Sequence, residues 1–86
     1  MKNRMATLET LHDLTLEDIV RAEIKIRIHD GKPDEEVLEG FERRSPVGSV
    51  SVTKKEYVTE QEKEIARLHT VRETIEKMIE EEKKAG

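Results

Sequence analysis

Three histidines, His12, His29 and His69, are the side chains of this sequence best suited to acid–base chemistry or metal binding. None of them forms an H-x₃-H or H-E-x-x-H pair, the spacing that places two imidazoles on one face of a helix. The sequence also contains no cysteine, and therefore offers no thiolate nucleophile and no cysteine-containing zinc site. We predict ordinary surface histidines, with no metal site and no cofactor.

Carboxylates are abundant, with 20 Asp and Glu among 86 residues, so neighbouring acids arise by chance. The run Asp34-Glu35-Glu36 follows Pro33, an arrangement typical of the first turn of a helix, where acids complement the dipole. The sequence has no G-x-S-x-G, no P-loop and no G-x-G-x-x-G motif. These absences together predict that the protein is not an enzyme.

Two basic pairs favour an alternative, a small nucleic-acid-binding regulator. Arg43-Arg44 and Lys54-Lys55 flank a short segment rich in serine, and residues 16–44 have the length of a helix–turn–helix. Against this, three acids begin the second helix of that unit, where it would approach phosphate. The net charge of −4 also gives no electrostatic attraction to nucleic acid. The alternative therefore depends on Arg43, Arg44, Lys54 and Lys55 meeting on one face.

The C-terminal third predicts one long amphipathic helix over residues 54–84. Thr53 and Glu56 fit a capping box at its start, and no proline or glycine interrupts it before Gly86. Apolar residues follow helical spacing and form a stripe. Its members are Tyr57, Val58, Ile65, Leu68, Val71, Ile75, Met78 and Ile79.

The length of this helix predicts self-association. Thirty residues give roughly 45 Å of helix, whereas a compact 86-residue domain has a radius of gyration of about 12 Å. Arg72 occupies a heptad position and favours a short bundle over a long coiled coil. A stripe that serves only as the core of one chain is the open alternative. The predicted oligomer interface comprises Tyr57, Ile65, Leu68, Val71, Ile75, Met78 and Ile79.

Residues 15–30 are ambiguous between helix and strand. Residues 7–14 predict a short helix, and Thr15 then resembles the N-cap of a second helix that ends before Gly31. Residues 22–29 alternate between apolar and polar, as in a strand. We favour the helix, with an apolar face over Leu16, Ile19, Val20 and Ile24. Apolar residues over much of its circumference indicate burial from several sides, which suits an oligomer.

The segment between the two helices predicts a short helix over residues 34–44, although Gly40 weakens its interior by about 1 kcal/mol relative to alanine. Residues 45–48 predict a turn, and residues 49–53 a short extended piece. The fold class is therefore mainly α. The alternative is α+β, with strands near 22–29 and 49–53.

Length and composition indicate one domain with an aliphatic core, since Phe41 and Tyr57 are the only aromatic residues. We expect residues 1–6 to be disordered and to form no signal peptide, and no run reaches transmembrane length, so the predicted location is cytoplasmic. The leading functional hypothesis is a non-enzymatic interaction or assembly module that forms a homo-oligomer. The sequence is also compatible with a protein hetero-partner, which it does not identify. A second alternative is an acidic inhibitor of a basic protein surface, using the Glu-rich end at residues 80–84.

Overall fold

The computed structural model describes residues 4–46 and 48–85, which form two long helices joined by a β-hairpin. Helix α1 spans Arg4–Arg27 and helix α2 spans Lys54–Ala85. Between them lie strands β1 (Val37–Ser45) and β2 (Gly48–Thr53), paired as a two-stranded antiparallel sheet. The fold class is mainly α, as predicted, and the long C-terminal helix is confirmed.

The two helices pack antiparallel along a seam with heptad spacing. On α1 the buried residues are Leu8, Thr15, Ile19 and Ala22, separated by three, four or seven positions. On α2 the buried residues are Leu68 and Ile75, seven positions apart. The salt bridge between Arg4 Nε and Glu82 Oε1, at 2.5 Å, joins the start of α1 to the end of α2 and fixes this direction.

Helix α2 begins at the predicted capping box. The Glu56 backbone N–H donates to Thr53 Oγ1 at 3.3 Å, and the Thr53 backbone N–H donates to Glu56 Oε1 at 3.2 Å. These reciprocal bonds satisfy donors that a helix start otherwise leaves without intrahelical partners. The helix then continues through the charged residues 80–84 to Ala85.

Helix α1 is one continuous element, where the sequence predicted two. Thr15 lies inside it and does not cap a second helix; its hydroxyl donates to the Leu11 carbonyl at 2.7 Å. The alternating residues 22–27 are helical, so the strand alternative near 22–29 is wrong there, and residues 28–31 form the turn that follows. Gly31 has φ +88°, the left-handed conformation typical of a glycine that follows the end of a helix, which is the role the sequence predicted for it. Residues 4–6, expected to be disordered, form the first turn of α1, and residues 1–3 lie outside the described part.

The helix predicted over residues 34–44 is wrong, because residues 37–45 form β1. Pairing with β2 overrides the local helical signals, and the predicted extended segment 49–53 belongs to that partner strand. Between Leu38 and Arg43 the register shifts, since β1 advances five residues while β2 advances two. Gly40, at φ +83°, lies in this bulge and adopts a conformation that other residues reach only at a cost. Ser45 pairs with Gly48, so the strands are connected where the sequence predicted a turn over residues 45–48, of which Val47 lies outside the described residues.

The molecule is thin and elongated. Its principal extents are 53 × 32 × 15 Å and its radius of gyration is 17.7 Å, against about 12 Å for a compact chain of this length. Leu38 and Val52 form a small apolar cluster at the base of the hairpin, separate in sequence from the helix seam. Within the described residues no side chain is less than 2% exposed, and no helix is long and apolar enough to cross a membrane.

Candidate functional site

The predicted oligomer interface on α2 lies on the side that faces α1 of the same chain. Leu68 and Ile75 are 6% and 8% exposed. The other members flank these two positions along the seam and keep an exposed edge. They are the half-buried residues Tyr57, Ile65, Val71, Met78 and Ile79. Most of the apolar area that the sequence assigned to another chain is therefore covered by α1.

A polar cluster interrupts the seam. His12 on α1 donates from Nε2 to Glu76 Oε2 on α2 at 2.9 Å, and Arg72 Nη1 lies 3.8 Å from the same oxygen. The hydrogen bond from His12 and the charge of Arg72 lower the pKa of Glu76. Arg72 Nε is buried with no hydrogen-bond partner. A buried, incompletely paired polar group weakens packing and favours one register over others.

An apolar row on α1 faces away from α2. Leu16, Val20, Ile24 and Ile28 are 38%, 53%, 51% and 65% exposed, the first three on α1 and the last in the turn that follows it. Their i, i+4 spacing makes them successive neighbours along one ridge of the helix surface. We call these four residues the outer ridge. The sequence indicated it only through the apolar residues around the circumference of α1.

The sign of the charged residues beside the outer ridge changes along the helix. Asp13 and Glu17 lie beside its N-terminal half, whereas Arg27 lies beside its C-terminal end. Arg21 Nη2 and Glu17 Oε1 form an exposed salt bridge at 2.5 Å. Glu23, further along the helix, is also exposed. The ridge therefore runs from an acidic end to a more basic end.

The total exposed area is large for the mass of the chain. The chain exposes 6759 Å², whereas a compact monomer of 10.0 kDa exposes about 5,200 Å². A standard protein–protein interface buries about 800 Å² on each partner. The excess of about 1,500 Å² is therefore enough for a stable interface.

The junction of α1, the hairpin and α2 contains the second group of polar side chains. His29 is 5% exposed, its ring meets the Tyr57 ring edge-on at 5.3 Å, and its Nδ1 lies 3.1 Å from Lys32 Nζ. Burial raises the pKa of Tyr57. An open cleft of about 440 Å³ lies beside them, lined also by Glu36 and Leu38. These contacts hold the base of the hairpin against both helices, and we assign the cluster a structural role.

The two basic pairs lie at different levels of the hairpin. In the strand register Arg43 is opposite Val50, near the turn, whereas Lys54 follows the last residue of β2. Lys54 is four positions after Val50 along the chain, which corresponds to roughly 13 Å of strand. Lys54 Nζ donates to the Lys32 carbonyl at 2.6 Å, so this ammonium serves the junction. The backbones of the two pairs therefore lie at different levels of the strand ladder, and whether their side chains meet on one face stays a prediction.

The three histidines are far apart in the fold. His12 lies in the seam, His29 in the junction, and His69 on the exposed side of α2. Among the described residues, no three histidine, cysteine or acidic side chains cluster as ligands for a metal ion. No family model, no curated protein and no solved structure matches the chain. Functional inference therefore depends on the surface alone.

Proposed function

We propose that the protein is a non-enzymatic assembly module that self-associates, and that the outer ridge of α1 is its contact surface. The observation that carries this proposal is the position of the ridge. Leu16, Val20, Ile24 and Ile28 face solvent as a continuous row, while the apolar stripe of α2 is used within the chain. Contiguous exposed apolar residues rimmed by charges are typical of interaction sites.

The shape of the chain supports the same function. A single layer of two helices, 15 Å thick, buries side chains from one direction only. Docking a second copy on the outer face of α1 places this helix between two others, and the apolar residues around its circumference then become buried on both sides. The excess exposed area, about 1,500 Å², is larger than the roughly 800 Å² that a standard contact removes from water on each partner.

Self-association is tested by sedimentation equilibrium at micromolar concentration. We expect a reversible dimer or larger oligomer for the natural chain, and a monomer for Val20→Glu and for Ile24→Glu, because each introduces an unpaired charge into the buried contact. Leu14→Glu is the matched control. Leu14 is 49% exposed on the same helix but lies about 120° around it from Val20 and about 80° from Ile24.

Two outcomes argue against this proposal. If the natural chain is a monomer throughout the concentration range, self-association is wrong. If it associates but only Val71→Glu or Met78→Glu disrupts the oligomer, the exposed edge of the α2 stripe is the contact, as the sequence predicted, and the outer ridge is not. Circular dichroism of each variant confirms that the helices are retained.

A further inference from the structure

We infer that complementary polar pairs across the helix seam, three of them between opposite charges, determine which face of α1 packs against α2 and in which register. These contacts lie within one chain and do not depend on the proposed self-association. Thr15 and Ala22 are 8% and 3% exposed in the seam, whereas the more apolar Val20 and Ile24 are 53% and 51% exposed on the outer side of α1. Burial of apolar area alone would favour the reverse arrangement.

Two of the pairs are direct contacts between the helices. Arg4 Nε lies 2.5 Å from Glu82 Oε1, and His12 donates from Nε2 to Glu76 Oε2 at 2.9 Å. Both connect the N-terminal half of α1 with the C-terminal half of α2. Basic side chains of α1 therefore face the part of α2 that is richest in glutamate.

Two further pairs lie between the other halves of the helices. Glu64 and Arg67 form a salt bridge with each other on α2. The pKa of Glu64 is lowered, first by the hydrogen bond from Arg67 and also by the charge of Lys25. The pKa of Arg67 is raised, first by the hydrogen bond to Glu64 and also by the charge of Asp18. Lys25 and Asp18, both on α1, are thus each near an opposite charge on α2.

The four pairs agree on a single antiparallel register. Their members on α1 follow the order 4, 12, 18 and 25, and their partners on α2 follow the reverse order 82, 76, 67 and 64. The apolar seam has heptad spacing and distinguishes poorly between registers that differ by seven residues.

The polar pairs do distinguish these registers. A shift of α2 by seven residues in either direction separates all four pairs and creates no other pair of opposite charge for their α1 members within the sequence. In one direction the residues opposite Arg4, His12, Asp18 and Lys25 become Ile75, His69, Glu60 and Tyr57. In the other direction the residues opposite His12, Asp18 and Lys25 become Lys83, Thr74 and Val71.

Charges also account for the face of α1 that is turned outward. Glu9 and Asp13 are exposed and lie seven residues before Leu16 and Val20, within about 20° of them around the helix. The face that carries the outer ridge is therefore acidic in its N-terminal half. Turned toward α2, this face would set the two acids against the glutamates at residues 76–82, in place of the basic side chains that lie there.

A charge-swap cycle tests the pairs near the junction. Asp18→Lys/Lys25→Glu reverses both charges on α1, and Glu64→Arg/Arg67→Glu reverses both on α2 while keeping opposite charges at these two positions. Each swap preserves the net charge, and the cycle cancels effects confined to one helix. We expect each swap alone to raise the equilibrium constant for unfolding by at least about threefold. The two together should restore it to within about twofold of the natural value.

The same cycle at the other end of the seam uses Arg4→Glu and Glu82→Arg, and it remains available if a swap near the junction does not fold. Glu73→Arg is the matched control on α2, since it should not restore the stability of Arg4→Glu. Urea denaturation below the association range measures both cycles. Coupling should disappear in 1 M salt, where charges are screened within about 3 Å. If the effects of the two helices simply add in both cycles, the pairs do not interact and the inference is wrong.

Thiol labelling tests whether the buried face of α1 depends on the pairs. The natural chain contains no cysteine, so Ile19→Cys reports on the seam and Ile24→Cys on the outer side. We expect the thiol of Ile19→Cys to react slowly with the natural charges, at least about threefold faster in either single-helix swap, and slowly again when both swaps are combined. The thiol of Ile24→Cys should react rapidly throughout. Equal protection of Ile19→Cys in every background would show that apolar packing alone selects this face, and would overturn the inference.

Discussion

His12 on α1 and Glu76 on α2 form a hydrogen bond of 2.9 Å across the helix seam, 64 residues apart in the sequence. The Glu76 carboxylate also lies 3.8 Å from Arg72 Nη1, so one acid faces two basic groups. The cluster lies along the seam with the Glu76 side chain 46% exposed. The hydrogen bond from His12 lowers the pKa of Glu76.

The first prediction concerns the pH dependence of stability. Because the hydrogen bond from His12 lowers the pKa of Glu76 in the folded chain, the ionised acid stabilises the fold above its ordinary pKa, and this contribution is lost as the pH falls through the lowered value. We expect Glu76→Gln to melt at a lower temperature than the natural chain near neutral pH, and the difference to shrink in acid. Thermal melts followed by circular dichroism at several pH values measure it.

Glu73→Gln is the control for this experiment. Glu73 is an exposed acid three residues earlier on the same helix. If both variants lose the same stability with the same pH profile, the effect reflects net charge and the contact between His12 and Glu76 has no specific role.

The second prediction concerns the capping box. Thr53→Ala removes the hydroxyl that accepts from the Glu56 backbone N–H, and we expect a loss of about 1 kcal/mol in the free energy of unfolding. Thr53→Ser keeps the acceptor and should retain most of the stability. Urea denaturation measures both. Equal losses in the two variants would assign the effect to packing of the threonine methyl group instead of capping.

The third prediction concerns the bulge in β1. Gly40 has φ +83°, and a Cβ added there meets nothing within 4 Å, so substitution carries a backbone cost and no steric clash. We expect Gly40→Ala to destabilise the chain by about 1 kcal/mol. Gly40→Asn should lose less, since asparagine tolerates positive φ better. Urea denaturation distinguishes them; an unchanged Gly40→Ala chain would mean that the bulge does not have this conformation in solution.

Structural features that depend only on residues close together in the chain are the ones that the sequence predicts correctly. Thr53 and Glu56 are three residues apart, and the cap that they form needs nothing else. The hairpin is different, because the strand state of residues 37–45 depends on pairing with β2 and on the bulge at Gly40. The local signal at Pro33-Asp34-Glu35 resembles a helix start, and here these residues belong to the turn before β1.

The face of α1 that packs against α2 could not be predicted from the hydrophobicity of its residues. The seam buries Thr15 and Ala22, while the more apolar Val20 and Ile24 face solvent. The sequence predicted a face over Leu16, Ile19, Val20 and Ile24, of which only Ile19 points to α2. Heptad spacing identifies the inner face, but that pattern is apparent only once α2 supplies the partner. The more apolar residues of α1 therefore lie on its exposed outer face.

The fourth prediction separates the seam from the assembly surface. Leu68 is 6% exposed and packs against α1. Leu68→Ala should therefore lower the free energy of unfolding by about 2 kcal/mol. This is the lower end of the range for buried leucines, because the two-helix layer is thin. Val20→Ala, at a residue 53% exposed, should weaken association while changing little in the unfolding of the dissociated chain.

Denaturation below the association range, combined with sedimentation above it, measures both effects on the same two proteins. A charged substitution at Leu68 is unsuitable, because it disrupts the fold and the assembly together. If Leu68→Ala instead leaves the dissociated chain as stable as the natural one and abolishes association, the stripe of α2 forms its principal contact with another copy, and the packing of α1 against α2 within one chain is secondary.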